Sequence, residues 1–309
     1  MIEVAVTGVG VVSPLGNDVA AMRAAIAAGK SGYQRFPDDL RRVLDIPGYA
    51  MCTFDCTPHL KRKKDKKLLP RAAEIALCAA ADALGSDRPD EIGGFLGVGR
   101  EPSDQADTGP SLLASCTKGH LDLEKLGTVG VALYPPLAPL RTLPNLILAH
   151  VAIHLDLTGE CGTRAGEEAA GIAALVEGWL AVAEGRSDVV LAGGADCRID
   201  LGSARDLVRQ GLCGPTRGPG EGAAVFRLEP LERARARGAT VFAVITGGGV
   251  ASGGPIAGAI RPQDFEPALG ACGSAAGPLA VAASLTRTCT VEALEDSGAR
   301  AWIAFSVPG

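Results

Sequence analysis

Residues 157–196 read LTGECGTRAGEEAAGIAALVEGWLAVAEGRSDVVLAGGAD, and this stretch decides the fold. Its pattern predicts a strand, a tight turn at Arg164-Ala165-Gly166-Glu167, a helix over 168–184 and a second strand. Along the helix Ile172, Leu175, Val176, Trp179, Leu180 and Val182 recur at helical spacing. Gly185 follows the last periodic residue, where a left-handed C-terminal cap is expected. Val189-Val190-Leu191-Ala192 has the unbroken apolar character of a strand buried on both faces, ended on this reading by Gly193-Gly194. A strand-to-helix elbow presents one side chain at a helix N-terminus, where unpaired amides and the macrodipole favour negative charge. Nucleophiles are activated at such elbows, so the first helical position is the first candidate site.

A chain of 309 residues, 47% hydrophobic and only 21% charged, can bury a large core as two domains or one large α/β domain. Its 41 glycines point to tight turns and close packing of helix on sheet. A net charge of −5 gives no electrostatic reason to expect nucleic acid. The nine cysteines are scattered, with only Cys52 and Cys56 close together, which favours reduced cytosolic thiols over disulfides or a metal site. The opening MIEVAVTGVGVVSPLG has no basic n-region and breaks at glycines. It reads as neither a signal peptide nor a membrane span, so a cytoplasmic location without membrane contact is expected.

Outward from the elbow, residues 2–7 read as a first strand, with Gly8, Gly10 and Gly16 shaping the turn after it. Asn17 or Asp18 caps a helix over 19–28 that ends at Gly29. The spacing G-V-G-V-V-S-P-L-G is not G-x-G-x-x-G and no placed acid follows, so no dinucleotide or other cofactor is expected. Residues 33–60, with three prolines, read as an irregular surface loop. The run KRKKDKK at 61–67 reads as a solvated basic helix start, with a docking patch for an acidic carrier protein as the alternative. Residues 68–84 form an alanine-rich amphipathic helix ended by Gly85, and 92–98 a strand. Residues 99–145 carry little pattern beyond a proline-rich run. His150 and His154 share one helical face; without a third ligand at helix spacing they read as core or interface residues. Further on, 241–246 reads as a strand with Gly247-Gly248-Gly249 beyond it.

The elbow resembles that of the β-ketoacyl (acyl carrier protein) synthases of the thiolase fold. There Thr-Ala-Cys-(Ala/Ser)-(Thr/Ser)-Gly precedes a helix, then Asp-x-x-(apolar)-Ala-Gly-Gly and an acidic residue. Counted back without a gap from Ala192-Gly193-Gly194 through Gly171, the family's nucleophilic cysteine falls on Glu168. The opening is similar to that family too, in Val6-Thr7-Gly8-Val9-Gly10, Ser13-Pro14-Leu15-Gly16-Asn17 and Gly29-Lys30-Ser31-Gly32. Residues 145–157 align with the helix leading to the elbow, and 201–212 resemble the helix and glycine turn beyond it. The segment that normally follows is shortened here to Gly214-Pro215-Thr216-Arg217-Gly218. Gly220-Glu221-Gly222-Ala223-Ala224 stands where the family has Gly-(Glu/Asp)-Gly-Ala-Gly. Ser274-Ala275-Ala276-Gly277 matches the Gly-Ala-Ala-Gly after the second catalytic histidine, which places that histidine at Ala271. The His-Gly-Thr loop and the Lys-Ser strand have no counterpart between Val250 and Gly270, and no histidine follows His154.

The resemblance implies an α/β protein with the thiolase-like α-β-α-β-α layered fold. It implies one domain over 1–309, with a nearly complete first half to about residue 190 and a truncated second half over about 191–309. Condensation requires a thiolate to hold the acyl chain and imidazoles to drive decarboxylation. With Glu168 and Ala271 at two of those positions, no catalytic residue and no condensing activity are expected. Cys161, seven residues before Glu168, reads as a buried small hydrophobe rather than a substitute nucleophile. The branch of the family that keeps the fold without the nucleophile is the chain-length factor of type II polyketide synthases. The implied function is therefore a non-catalytic subunit paired with an active ketosynthase, closing the acyl tunnel and setting chain length, with acyl carrier protein met through the complex. The strand over 158–165 would pair across a pseudo-two-fold axis, burying well above ~2,000 Å² in total. Leu140, Leu143, Leu146, His150, Cys161 and Arg164 are the tunnel and interface candidates. Two alternatives stay open: a decarboxylase or hydrolase using Glu168 as base, and a scaffold that binds acyl carrier protein without a ketosynthase.

Overall fold

A computed structural model of the chain describes residues 1–35, 48–99, 105–214, 217–295 and 297–308. Its strands are β1 (Val4–Val12), β2 (Tyr33–Arg35), β3 (Gly48–Ala50), β4 (Gly93–Val98), β5 (Cys116–Thr117), β6 (His120–Leu121), β7 (Cys161–Ala165), β8 (Val190–Cys197), β9 (Glu221–Pro230), β10 (Ala243–Ser252), β11 (Cys289–Leu294) and β12 (Ala299–Ser306). β2 pairs with β3 and β5 with β6; the other eight form one mixed sheet in the order β11-β12-β10-β1-β9-β8-β4-β7. Only β4 with β7 and β4 with β8 run parallel. Three residue pairs, Val4–Val6 against Ala243–Ile245, join a five-stranded limb to a three-stranded one. The two halves thus share one continuous sheet.

Four layers follow from how helices meet these limbs. The helices Arg71–Leu84 and Asn145–Leu155 pack on the outer face of the five-stranded limb. The elbow helix Glu168–Ala183 and the closing helix Ala276–Ser284 fill the space between the limbs. The elbow helix is hydrophobic nearly all round, and twelve of its sixteen residues are buried, because β4 and β8 cover one side and β12 and β11 the other. β10–β12–β11 form the fourth layer. Among the described residues no further helix packs along their outer face.

Several glycines expected to end strands lie inside them. β1 continues through Gly8 and Gly10 because a Cβ there would lie 2.0 Å from the Ala83 carbonyl oxygen and 1.9 Å from that of Ala79. β8 likewise runs through Gly193 and Gly194, where a Cβ would meet the carbonyl oxygens of Ala224 and Ser274. β10 continues through Gly247, Gly248 and Gly249. Close backbone approach, rather than chain reversal, is what these positions require. Gly16 (φ 145°), Gly29 (φ 67°), Gly85 (φ 66°) and Gly185 (φ 74°) do close turns and helix ends.

Asp18 caps the helix Val19–Ala27 through its side chain, accepting from the Ala21 amide. The segment expected to be irregular surface loop holds the β2–β3 pair and buries Cys52 and Cys56; residues 36–47 lie outside the described residues, as do Pro215 and Thr216. The basic run becomes a 3-10 helix, Lys63–Leu68, whose Asp65 turns inward to accept from Arg62 Nε at 3.0 Å. Pro70 then delays the long helix to Arg71. Within 105–142 the poorly patterned segment forms the helix Gln105–Ala114, a single π-turn over Leu126–Gly130 and short helical pieces. No described helix is long and apolar enough to cross a membrane.

Candidate functional site

The elbow is built by β7 and its parallel neighbour β4. At the end of β7 the Gly166 amide donates to the Val98 carbonyl at 3.0 Å, which turns the chain. Glu167, with non-helical backbone angles, is the N-cap, and Glu168 is the first residue of the helix. The free amides of a first helical turn need acceptors when partly buried. Here the Ala169 amide finds Glu295 Oε1 at 3.3 Å, supplied from just beyond β11 in the second half. The half-buried Glu168 carboxylate accepts from the Gln263 side-chain amide, also from the second half. Glu167 pairs with Arg198, whose Nε also lies 3.6 Å from Asp196.

Asp196 sits at the foot of this arrangement, 2% exposed. Its carboxylate accepts from the amides of Cys197 at 2.8 Å and Ser274 at 3.1 Å. Burial outweighs those bonds and pushes its pKa up to about 7. Gly99 and Gly273 leave room for it: a Cβ on either would lie 2.1 Å from Asp196 Oδ2. Ser274 donates in turn to the Ala195 carbonyl at 3.0 Å, tying the second half to the end of β8. Gly171 lets the elbow helix touch the closing segment, since a Cβ there would lie 2.0 Å from the Ser274 carbonyl oxygen.

Above these groups lies a cavity of about 270 Å³, lined by Glu167, Glu168, Arg198, Arg217, Gln263 and Glu295 among others. Its wall sets these charged and polar groups beside Leu212 and Leu294, so it offers polar contacts together with a small apolar face. Ala271 is buried elsewhere, its amide donating to the Gly218 carbonyl at 2.9 Å, and it does not line this cavity. A helix N-terminus stabilises a carboxylate by ~0.3–1 kcal/mol, which fits Glu168 as a fixed charge.

The remaining sequence candidates lie away from the cavity. His150 Nε2 is 3.3 Å from the Leu140 carbonyl oxygen, and the buried His154 accepts the Lys61 amide at 3.2 Å through Nδ1. Burial holds both imidazoles below their usual pKa, which suits neutral packing residues. Among the described residues no three His, Cys, Asp or Glu side chains gather to hold a metal. Cys161 is exposed, not buried, because β7 is an edge strand with β4 on one side only. Arg164 is exposed on the same strand and pairs with Glu177. Leu140 and Leu146 are half-buried and Leu143 is exposed. Val131, Leu133 and Leu137 are exposed as well. Leu137 lines an open groove of about 540 Å³ together with Arg62, Lys64, Lys67 and Arg141.

Gln263, Glu295, Glu167 and Arg198 shape the cavity, and sequence reasoning singled out none of them as a site residue. The acidic position after Ala-Gly-Gly was legible as part of the motif, but its contact with Ser274 was not.

Residues 1–234 match the family model for the β-ketoacyl synthase N-terminal domain. Among curated proteins, 3-oxoacyl-(acyl-carrier-protein) synthase 2 of Staphylococcus aureus strain MRSA252 is 26% identical over 279 residues, covering 80% of this chain and 62% of that protein. The protein of the same description from Rhizobium meliloti strain 1021 is 28% identical, covering 81% and 64%. The chain thus spans less than two thirds of the length of these relatives. Among solved structures, a β-ketoacyl synthase from Burkholderia phymatum STM815 superposes with a TM-score of 0.80 at 17% identity, covering all of both chains. The ishigamide ketosynthase/chain length factor gives 0.78 at 18%, again over all of both chains. A ketosynthase complexed with its type II polyketide synthase acyl-carrier protein gives 0.76 at 17%, with the same coverage. These likenesses establish the thiolase-like ketosynthase fold.

Proposed function

The chain belongs to the β-ketoacyl synthase family, and on that premise we propose that it is a non-catalytic, chain-length-factor-like subunit of a type II polyketide synthase. The observation that carries this reading is the elbow itself. Glu168 occupies the first helical position, where the family pattern places its cysteine, and is held by Gln263. A carboxylate cannot serve as the reversible thioester carrier that condensation requires. Ala271 offers no imidazole for decarboxylation. The fold has a neighbour in a ketosynthase/chain length factor structure, which supports a pairing role for a member without the nucleophile.

The partner in this reading is an active ketosynthase that supplies Cys and two His. Among the described residues the outer edge of β7 has no strand partner, and an open strand edge is backbone that a protein has reason to cover. Leu133, Leu137 and Leu143 are large apolar residues left exposed, as in a chain that buries them against a partner. Leu140, Leu143 and Leu146 would limit the depth of the shared tunnel. The groove lined by Arg62, Lys64, Lys67 and Arg141 has the charge to receive an acidic carrier protein.

Co-expression with an active ketosynthase tests this. The two chains are expected to co-elute as a heterodimer, and replacing Leu140, Leu143 or Leu146 by Trp should shorten the product. A monomeric elution profile together with unchanged product lengths would sink the reading. Thioester labelling from acyl carrier protein should leave none of the nine cysteines acylated, and hydroxylamine-sensitive label on Cys161 would point instead to an altered enzyme.

A further inference from the structure

The segment between β10 and the closing helix folds back onto the elbow, and its path is fixed at several points. Ile260 bridges to β11: its amide donates to the Thr290 carbonyl, and the Glu292 amide donates to the Ile260 carbonyl, each at 2.9 Å. The Glu292 carboxylate is fully buried and accepts the Ile256 amide at 3.0 Å from both oxygens. Arg261 Nε at 3.8 Å and Arg300 Nε at 3.7 Å flank the same carboxylate. Arg300 reaches across to the Gly254 carbonyl as well. A turn closes the segment, with the Arg261 amide donating to Asp264 Oδ2 at 3.0 Å and Pro262 buried. From that clamped turn Gln263 extends to Glu168, while Glu295 of the same half takes the Ala169 amide.

We propose that residues 254–264 are an internal stopper, a strap locked by Glu292 that seats the Gln263 amide against residue 168 and closes the elbow pocket to an acyl group. The lock is electrostatic. A buried carboxylate is tolerated only while paired and hydrogen-bonded. Lifting the strap would remove the Ile256 amide and the Arg261 guanidinium from Glu292 together. The strap is therefore a fixed part of the fold and not a flap that opens in passing. What remains of the pocket is a cavity of about 270 Å³, with Leu212 and Leu294 as its apolar lining and Gln263 set across it at residue 168. The closure is a property of this chain alone and holds whether or not a ketosynthase pairs with it.

A thiol placed at the elbow reports on the stopper. In the full chain carrying Glu168→Cys, the introduced thiol is expected to alkylate slowly with iodoacetamide, followed by peptide mass mapping. Exposed Cys116 and Cys161 provide internal references in the same spectra. Adding Gln263→Gly should raise the rate at position 168 about tenfold or more, since a thiol at a helix N-terminus reacts readily once accessible. Equal rates in the single and double variants would overturn the stopper. Hydrogen exchange on the unsubstituted chain gives a second reading that no substitution can disturb. The amides of Ile256, Ile260 and Glu292 should be protected as strongly as those of β8, and exchange at the rate of an exposed loop would overturn the proposal. Neither measurement involves the partner, so a failure here is separable from a failure of the pairing experiment.

Discussion

In the five-stranded limb of the sheet, Gly8 and Gly10 of β1 face the helix Arg71–Leu84 so closely that a Cβ on either would sit 2.0 Å or less from a helix carbonyl oxygen. In the three-stranded limb, Gly247 and Gly249 of β10 meet only Trp302 of β12, at 3.4 Å and 3.2 Å from an added Cβ. Both strands carry glycines, two in β1 and three in β10, and the residue does different work in each. In the first limb it lets a helix lie against the backbone, and the packing tolerates nothing larger. In the second the outer face has no helix along it among the described residues, and an indole from the next strand covers the gap. A glycine run in a strand thus marks a place where something comes close, without saying whether a backbone or a movable side chain does so.

The largest expected effect separates the two limbs directly. Gly10→Val forces a branched side chain into the Ala79 carbonyl and the Ala83 amide, both backbone atoms that cannot rotate away. It should destabilise the chain by ~3 kcal/mol or more, at the upper end for overpacking, read as a lowered urea midpoint with unchanged slope. A loss below ~1 kcal/mol would mean the helix can slide, and the contrast between the limbs would break.

The junction between the limbs gives the next effect. Asp196 has its pKa raised to about 7 by burial, above the unfolded carboxylate range near 4. The folded state therefore holds a proton that the unfolded chain releases, and stability falls as pH rises through this window. The stabilisation is fully present below the unfolded pKa and lost above about 7. Asp196→Asn should flatten that slope, removing roughly 2 kcal/mol of the difference between pH 5 and pH 8 in urea titrations. An unchanged slope would show that another group titrates at the junction.

The smallest effect is predicted at Gly247→Ala. Its Cβ would rest at ordinary contact distance from the Trp302 ring, and a glycine inside a strand costs conformational entropy. Thermal stability should move by no more than ~0.5 kcal/mol in either direction. A loss as large as that at Gly10 would mean Trp302 is as fixed as a helix backbone, erasing the difference between the limbs.

Much of this arrangement is legible along the chain. Ile172, Leu175, Val176 and Trp179 predict the elbow helix, because a 3.6-residue period is written locally, and it begins at Glu168 as expected. The caps at Gly29, Gly85 and Gly185 were read for the same reason, since a helix end needs a residue free to adopt positive φ. The strand ends were misplaced at Gly8, Gly193 and Gly247, because the reason for each glycine lies on a different segment. Cys161 was expected to be buried and is exposed, because no local pattern tells an edge strand from a central one.

What the sequence determined by itself is which residue stands at the elbow. Glu168 follows from a gapless count through Gly171 to Ala192-Gly193-Gly194, and its charge agrees with the helix terminus without any tertiary information. What only the tertiary structure decided is what meets that residue. Gln263 lies 95 positions away and Glu295 is 126 positions from the Ala169 amide it accepts. Neither is marked by periodicity, spacing or composition. Their arrival depends on Glu292 clamping the strap to β11 and on β10 continuing from the edge of β1. Contacts of that range arise when the sheet closes around the elbow helix, because a buried carboxylate and a partly buried helix terminus both demand partners that only the second half can supply.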